Sequence, residues 1–265
     1  MPTITSKSTT TDPAVLASSG GEAVHGESSS TTVAAIAGIQ LDTADTSSGA
    51  GVYGEARGGG AAVVGRQMSP TSHGAGISGE CFGNGNAISA IQQNPSSSGA
   101  ALYAEHATGL TAGYFRGNVI VTGDVSFPGA DCAEEFIVKN AVLAEPGTVM
   151  ALSETGELVP CDAPYDKRVV GVVAGAGSLR SGIVMGRQQD RSRPSQPIAL
   201  VGTVYCKADA RDAPIAVGAL LTSAAMPGHA MKASDQTRAF GAVIGKAMAP
   251  LHQGLGLIPI LIALQ

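Results

Sequence analysis

The chain has 265 residues, of which 44% are apolar and only 14% charged, with 36 glycines, no tryptophan and a formal charge of −5. Soluble domains carry about 25% charged residues, so this chain has too few charges to coat an isolated globule and is expected to bury surface against copies of itself. Its apolar content excludes wholesale disorder, and its acidic balance, with no Lys/Arg cluster interleaved with aromatics, argues against nucleic-acid binding.

The chain opens on an arm, residues 1–22, with nine Ser or Thr. A charged start followed by an apolar run is absent there, and no stretch in the chain reaches the ~18 apolar residues of a spanning helix. Neither a signal peptide nor a membrane span is expected, which places synthesis in the cytoplasm. Such an arm is read as flexible or docked on a partner.

Residues 23–130 carry a repeat: a small residue, an apolar anchor, a variable residue, then Gly or Ala, often followed by a charge. It recurs as Ala23-Val24-His25-Gly26-Glu27, Ala35-Ile36-Ala37-Gly38, Gly51-Val52-Tyr53-Gly54-Glu55, Ala62-Val63-Val64-Gly65-Arg66, Gly76-Ile77-Ser78-Gly79-Glu80, Ala87-Ile88-Ser89-Ala90 and Ala101-Leu102-Tyr103-Ala104-Glu105. From Val52 onward the anchors alternate gaps of 11 and 14, a period of 25. Alternation over four or five residues is the period of a short strand, and the Gly, Ser, Asn and Pro between units are turns. Short strands at fixed spacing predict a β-helix in which each unit buries its apolar face against neighbours. One chain alone would give about four coils, roughly 20 Å of stack with two raw edges; three interwound chains would pair those edges, so an interwound homotrimer is expected.

From Asp131 the pattern changes. Twelve cations balance twelve acids in residues 131–265, against four and nine before them. Apolar runs at Phe136–Val138, Val149–Leu152, Val169–Ala174, Ile183–Met185, Ile198–Cys206, Ala219–Leu221, Ala239–Ile244 and Leu255–Leu264 are separated by turn signals. They predict about eight short strands in a compact β-barrel or sandwich, with the last run buried in the core or at a subunit interface. The expected chain is therefore all-β, a repeat shaft over 23–130 followed by a barrel or sandwich over 131–265 that caps and trimerises it.

The Gly-Val-Tyr-Gly-Glu type repeats, Gly123-Asp124-Val125 after them, and a barrel carrying Pro146-Gly147-Thr148-Val149-Met150, Tyr165-Asp166-Lys167-Arg168-Val169-Val170-Gly171-Val172 and Pro227-Gly228-His229-Ala230-Met231-Lys232 resemble tail-fibre-like proteins of phages and bacteria. The resemblance implies a homotrimeric fibre segment whose capping β-domain sets register, and a structural or attachment role with a surface glycan or receptor, or a larger tail or injection assembly, as partner. It also implies incorporation in a virion or tail-like particle. Some related capping domains are similar to self-cleaving intramolecular chaperones, but no cleavage dyad is matched here. The shaft is short, and no large receptor-binding head follows it.

Chemistry-bearing residues are sparse. Gly74-Ala75-Gly76-Ile77-Ser78-Gly79 matches the dinucleotide fingerprint in letters but lacks the strand, helix and distant acid the motif needs. Cys81, Cys132, Cys161 and Cys206 follow no metal or disulfide-scaffold spacing and are read as free thiols. The five histidines are scattered without a ligand set, so neither a metal nor a cofactor is expected. Glu134 and Glu135 are read as a solvated charge pair. The alternative to a structural role is an enzyme of lyase or cyclase type, acting on a small molecule or glycan, with its pocket in a groove between subunits. Its candidate catalytic residues are Tyr53, Tyr103, Glu105, His106 and Arg116 on the shaft, where His106 beside Glu105 has the composition of an acid–base pair. Arg180, Arg187, Arg191 and Arg193 form the densest cationic stretch. They are read as an exposed loop, or as a site for an anionic ligand such as a carboxylate or acidic glycan, which guanidinium groups suit.

Overall fold

A computed structural model describes residues 24–29, 34–41, 50–108, 110–186 and 192–264. The arm and Arg187 and Arg191 lie outside them. The chain divides into two compact units, Met1–Tyr114 and Phe115–Gln265.

The second unit is a β-structure with a closed five-strand barrel and additional strands, and the chain as a whole is essentially all-β. In order the strands are β1 (Asp131–Ile137), β2 (Val149–Leu152), β3 (Leu158–Pro160), β4 (Val169–Val173), β5 (Ser181–Met185), β6 (Ser195–Asp209), β7 (Leu220–Ser223), β8 (Ala230–Lys232), β9 (Val243–Ala247) and β10 (Leu255–Ile262); a helical turn, α1 (Gln236–Ala239), precedes β9. The ring runs β6–β10–β9–β7–β8 and returns to β6. The 15-residue β6 is the spine: its second half pairs antiparallel with β10, Gly202 to Ile262 through Asp209 to Leu255. Its first half pairs with β1 and β4 outside the ring.

Gly202 marks the switch between those two pairings. Its φ of 104° lies where only glycine is at ease, and a Cβ there would sit 2.9 Å from Asp131 Cα. The β2–β3 hairpin turns on Gly156, φ 81°, where Ser153 N–H donates to the Glu157 carbonyl at 2.9 Å.

Barrel closure with so few strands requires small inward side chains beside large ones. Ala199, Ala208, Ala230 and Ala247 are buried against Val149, Val172, Val204, Ile215, Leu221, Ile244 and Ile260. A second cluster, Val138, Met150, Leu158, Val173 and Ile198, fills the space outside the ring. The apolar C-terminal run is a core strand: Ile258, Ile260 and Ile262 point inward and are buried, while Leu255, Leu257 and Leu261 point outward and are each about 45% exposed. Each of the eight predicted runs overlaps a strand, but Ala239–Ile244 begins at the end of α1 and reaches β9 only at Val243; β3 and β8 lie outside all of them.

In the first unit the described repeats stack, but without a ladder. A Cβ added at Gly54 would fall 2.7 Å from Val63 Cγ2, and one at Gly79 2.8 Å from Ile88 Cγ1. The glycine of each unit thus lies against the anchor of the next, a relation that also joins Gly26 to Ile36, Gly38 to Val52 and Gly65 to Ile77. The small residue after each anchor is there because the next backbone comes this close. Yet between residues 24 and 108 the described backbone makes only two mutual hydrogen bonds, Ser72 N to Ser69 O and Ser97 N to Asn94 O, both in turns. A β-helical ladder does not form within one chain among the described residues.

Candidate functional site

A concavity of about 610 Å³ in the barrel unit is lined by Pro164 and Tyr165 from the β3–β4 loop, Asp209, Arg211 and Asp212 from the end of β6, Ala224 and Ala225 after β7, and Met231, Lys232 and Ser234 around β8. Its best-defined side chain is Tyr165. At φ 59° it is the one non-glycine residue with positive φ among the described residues, a conformation that costs about 1–3 kcal/mol and persists only where its surroundings over-determine it.

Those surroundings are specific. Tyr165 N–H donates to the Ser223 carbonyl at 3.2 Å. The next amide, Asp166 N–H, donates to Ser223 Oγ at 2.9 Å, and Ser223 Oγ in turn donates to the Ala163 carbonyl at 2.8 Å. At the far end of the ring, Asp235 N–H donates to the Tyr165 hydroxyl oxygen at 2.8 Å. The Arg238 guanidinium lies 4.4 Å from the ring centroid, a cation–π contact, and also donates to the Pro164 carbonyl. Asp235 places that arginine: it caps α1 by accepting from Thr237 N–H and Arg238 N–H.

Two carboxylates around the site are held by arginines two residues on. Arg168 grips Asp166 through Nε at 3.0 Å and Nη2 at 2.7 Å, and Arg211 grips Asp209 at 2.9 and 2.6 Å. Each fork holds its carboxyl below the usual carboxylate range, the hydrogen bonds from arginine outweighing the burial that opposes them. Asp209 and Arg211 are thus engaged with each other. The lining has two acids and two bases and is formally neutral. It suits recognition of a small polar group, and no lining side chain is paired as nucleophile with base.

Of the residues singled out from the sequence, the described ones of the first unit meet partners two residues away. Tyr53 donates to Glu55 at 3.2 Å, and Arg57 reaches the same carboxylate at 2.7 Å. Tyr103 donates to Glu105 at 2.5 Å, a bond that raises the Tyr103 hydroxyl pKa. His106 Nδ1 faces Thr108 rather than Glu105. These are contacts between residues two apart, repeated along the shaft. Arg116 belongs to the other unit. Within the cationic stretch, Arg193 pairs with Glu157 at 2.6 Å, so it is committed inside the barrel unit. Arg180 lines a smaller cavity with Pro128, Gly129 and Ser178.

Glu135 is not a free solvated charge, since Ser195 Oγ donates to it at 2.5 Å. All four cysteines are free, Cys81 exposed and Cys161 and Cys206 buried; burial pushes the Cys206 thiol up to about 12. Among the described residues no group of three or more His, Cys, Asp or Glu is placed to hold a metal ion, and no helix is long and apolar enough to cross a membrane.

The Tyr165 site was missed because its parts come from four separated segments. The available signals were Pro164-Tyr165-Asp166, the Asp209-x-Arg211 and Asp166-x-Arg168 pairs, and the capping pattern of Asp235 before Arg238. No protein-family model matches this chain, and no curated protein matches it.

Proposed function

We propose that this chain is the subunit of a homotrimeric structural or attachment protein of the tail-fibre kind: repeats of three copies interwind into a β-helical shaft, and the barrel caps it and sets its register. A surface glycan or receptor, or a larger tail assembly, is the partner of such a protein, and a virion or tail-like particle its place.

The observation that carries the reading is the state of the shaft anchors. Val52, Val63, Ile77, Ile88 and Leu102 are each 64 to 72% exposed in the single chain, although the period and the glycine stacking that bring them into line are well formed. Burying these five would contribute about 7–15 kcal/mol per chain at about 1.5–3 kcal/mol each. In the same stretch the described backbone makes only two backbone–backbone hydrogen bonds, both in turns, and paired backbone is what buried strands require. Further copies of the chain supply both needs at once. Support also comes from the outward row Leu255, Leu257 and Leu261 of β10, an apolar face on a domain whose core is already filled.

The test is the mass in solution. Light scattering on the full chain is expected to give about three times 26.3 kDa, and a clean monomer at micromolar concentration would end this reading.

A further inference from the structure

Backbone strain and an open cavity coincide at Tyr165. Its φ of 59° lies in the left-handed region, which a ring-bearing side chain rarely adopts, and residues held this way cluster at ligand clamps. The Ser223 carbonyl takes its N–H, Asp235 N–H donates to its hydroxyl oxygen, and the Arg238 guanidinium stacks on its ring. Tyr165 lines the cavity of about 610 Å³, whereas the arginine stacked on it does not. The ring is thus held in place at the cavity wall by the protein alone, before any occupant arrives.

Three charged residues of the same wall are open to solvent. Arg211 is oriented by its fork on Asp209, yet its side chain is 54% exposed and Nη1 takes no part in the fork, so the guanidinium keeps N–H donors for a further partner. Asp212 and Lys232 are exposed and line the cavity. Neither makes an ion pair among the described residues.

The balance of these groups selects a ligand class. Two acids and two bases line one cavity, so net charge draws in neither an anion nor a cation. Donors and acceptors stand together beside the apolar surface of Tyr165 and Met231. Hydroxyl groups both donate and accept, and a pyranose carries several of them around a face of C–H groups that packs on an aromatic ring. The volume lies within the range of about 300–1,000 Å³ usual for ligand pockets, which is room for a short saccharide.

We propose that the Tyr165 cavity is a saccharide-binding site, in which the Tyr165 ring is the platform for a pyranose and Arg211, Asp212 and Lys232 hold its hydroxyl groups. The proposal deepens the attachment reading by giving the glycan partner a place, and it rests on that reading for the saccharide being part of a surface. The lining comes from one barrel, so binding itself does not require three chains.

Saturation-transfer NMR on the full chain tests it with lactose, maltotriose, cellotriose and triacetylchitotriose. Glycerol, glycine and inorganic phosphate are the controls for hydroxyls without a ring, a zwitterion and an anion. At millimolar concentration at least one saccharide is expected to receive saturation at its ring C–H protons. It should also shift the Met231 methyl signal, assigned from Met231→Leu in a 13C-methyl-methionine sample. Tyr165→Gly removes the ring at a backbone angle glycine accepts, and saccharide transfer is expected to be lost while the circular-dichroism spectrum of the barrel is kept. Asp212→Ala and Lys232→Ala, at exposed positions where folding is not at stake, are each expected to raise the half-saturating concentration about tenfold. Any of three results would overturn the site: no transfer to any of the four saccharides, a Met231 methyl moved as far by a control as by a saccharide, or half-saturation unchanged in all three cavity variants. A monomer that binds saccharide would keep this site and remove the homotrimer, whereas a trimer that binds none would remove the site alone.

Discussion

Gly79→Ala probes the contact on which the shaft is built. A Cβ at that position would lie 2.8 Å from Ile88 Cγ1 and 2.9 Å from the Ala87 carbonyl oxygen, where unstrained contacts to carbon sit at about 3.5 Å or beyond. The oxygen is backbone and cannot swing aside, and Ile88 branches at its own Cβ, so the strand must shift as a whole. Overpacking of this kind costs about 1–3 kcal/mol per chain, and on the homotrimeric reading about 3–9 kcal/mol in the assembly. Gly58 supplies the control. Nothing lies within 4 Å of a Cβ built there, and Gly→Ala at an unstrained open site stabilises by about 0.4–1 kcal/mol through the unfolded chain.

The repeat itself offers a second control. The next unit carries Ala90 where the units before it have glycine, and the anchor following it is Leu102, which is unbranched at Cβ. Gly79→Ala combined with Ile88→Leu is accordingly expected to recover part of the loss. Thermal unfolding at fixed chain concentration, with mass followed in parallel, measures all three variants. A Gly79→Ala shaft as stable as Gly58→Ala would refute the stacking of each glycine on the next anchor.

Three further outcomes are expected. An aromatic disulfide reagent should label Cys81 within its mixing time and Cys206 only at the rate of global unfolding, since the first thiol is exposed and the second is buried with its pKa near 12. Asp166 and Asp209 have folded pKa values depressed below the unfolded value of about 3.9; their stabilisation is present above that pH and is lost as pH falls through the folded values. The barrel should therefore weaken below about pH 4, and Asp166→Asn should flatten that slope in acid denaturation. Expressed separately, residues 131–265 should give a folded β circular-dichroism spectrum, while residues 23–125 should be insoluble or unassembled; a soluble trimeric shaft beside an unfolded barrel would reverse the assignment of which half directs assembly.

The sequence made the barrel strands legible wherever apolar residues ran for three or more positions between turn signals. The two strands it hid, β3 and β8, are three residues long; one ends on Pro160 and the other follows Pro227-Gly228-His229, so their ladder bonds are masked by residues that usually end strands. The order of glycine and anchor along the shaft was legible too, because it recurs at a fixed period. Which groups the anchors and amides meet was not, since the described residues leave the anchors exposed and pair little of the backbone. Density in sequence also misled as a guide to convergence, for Arg193 leaves the arginine stretch to pair with Glu157, 36 residues away. Tyr165 could not be foreseen in a left-handed conformation, because the groups that hold it, Ser223, Asp235 and Arg238, arrive from β7 and α1.

The two units differ in how their described backbone groups are paired. β6 reaches both β8 and β10, so the barrel closes its ring inside one chain and has no open edge left in the ring. The repeat unit has the period of a stacked structure but little backbone pairing among its described residues, and its five anchors from Val52 to Leu102 are exposed. On the homotrimeric reading this difference orders assembly: barrels fold as single chains and collect through surfaces such as the outer row of β10. Only then are three repeats held at the high local concentration at which their anchors can be buried together. A chain whose barrel is disabled would then face a third-order encounter of unfolded repeats, which is why register has to be set at the folded end.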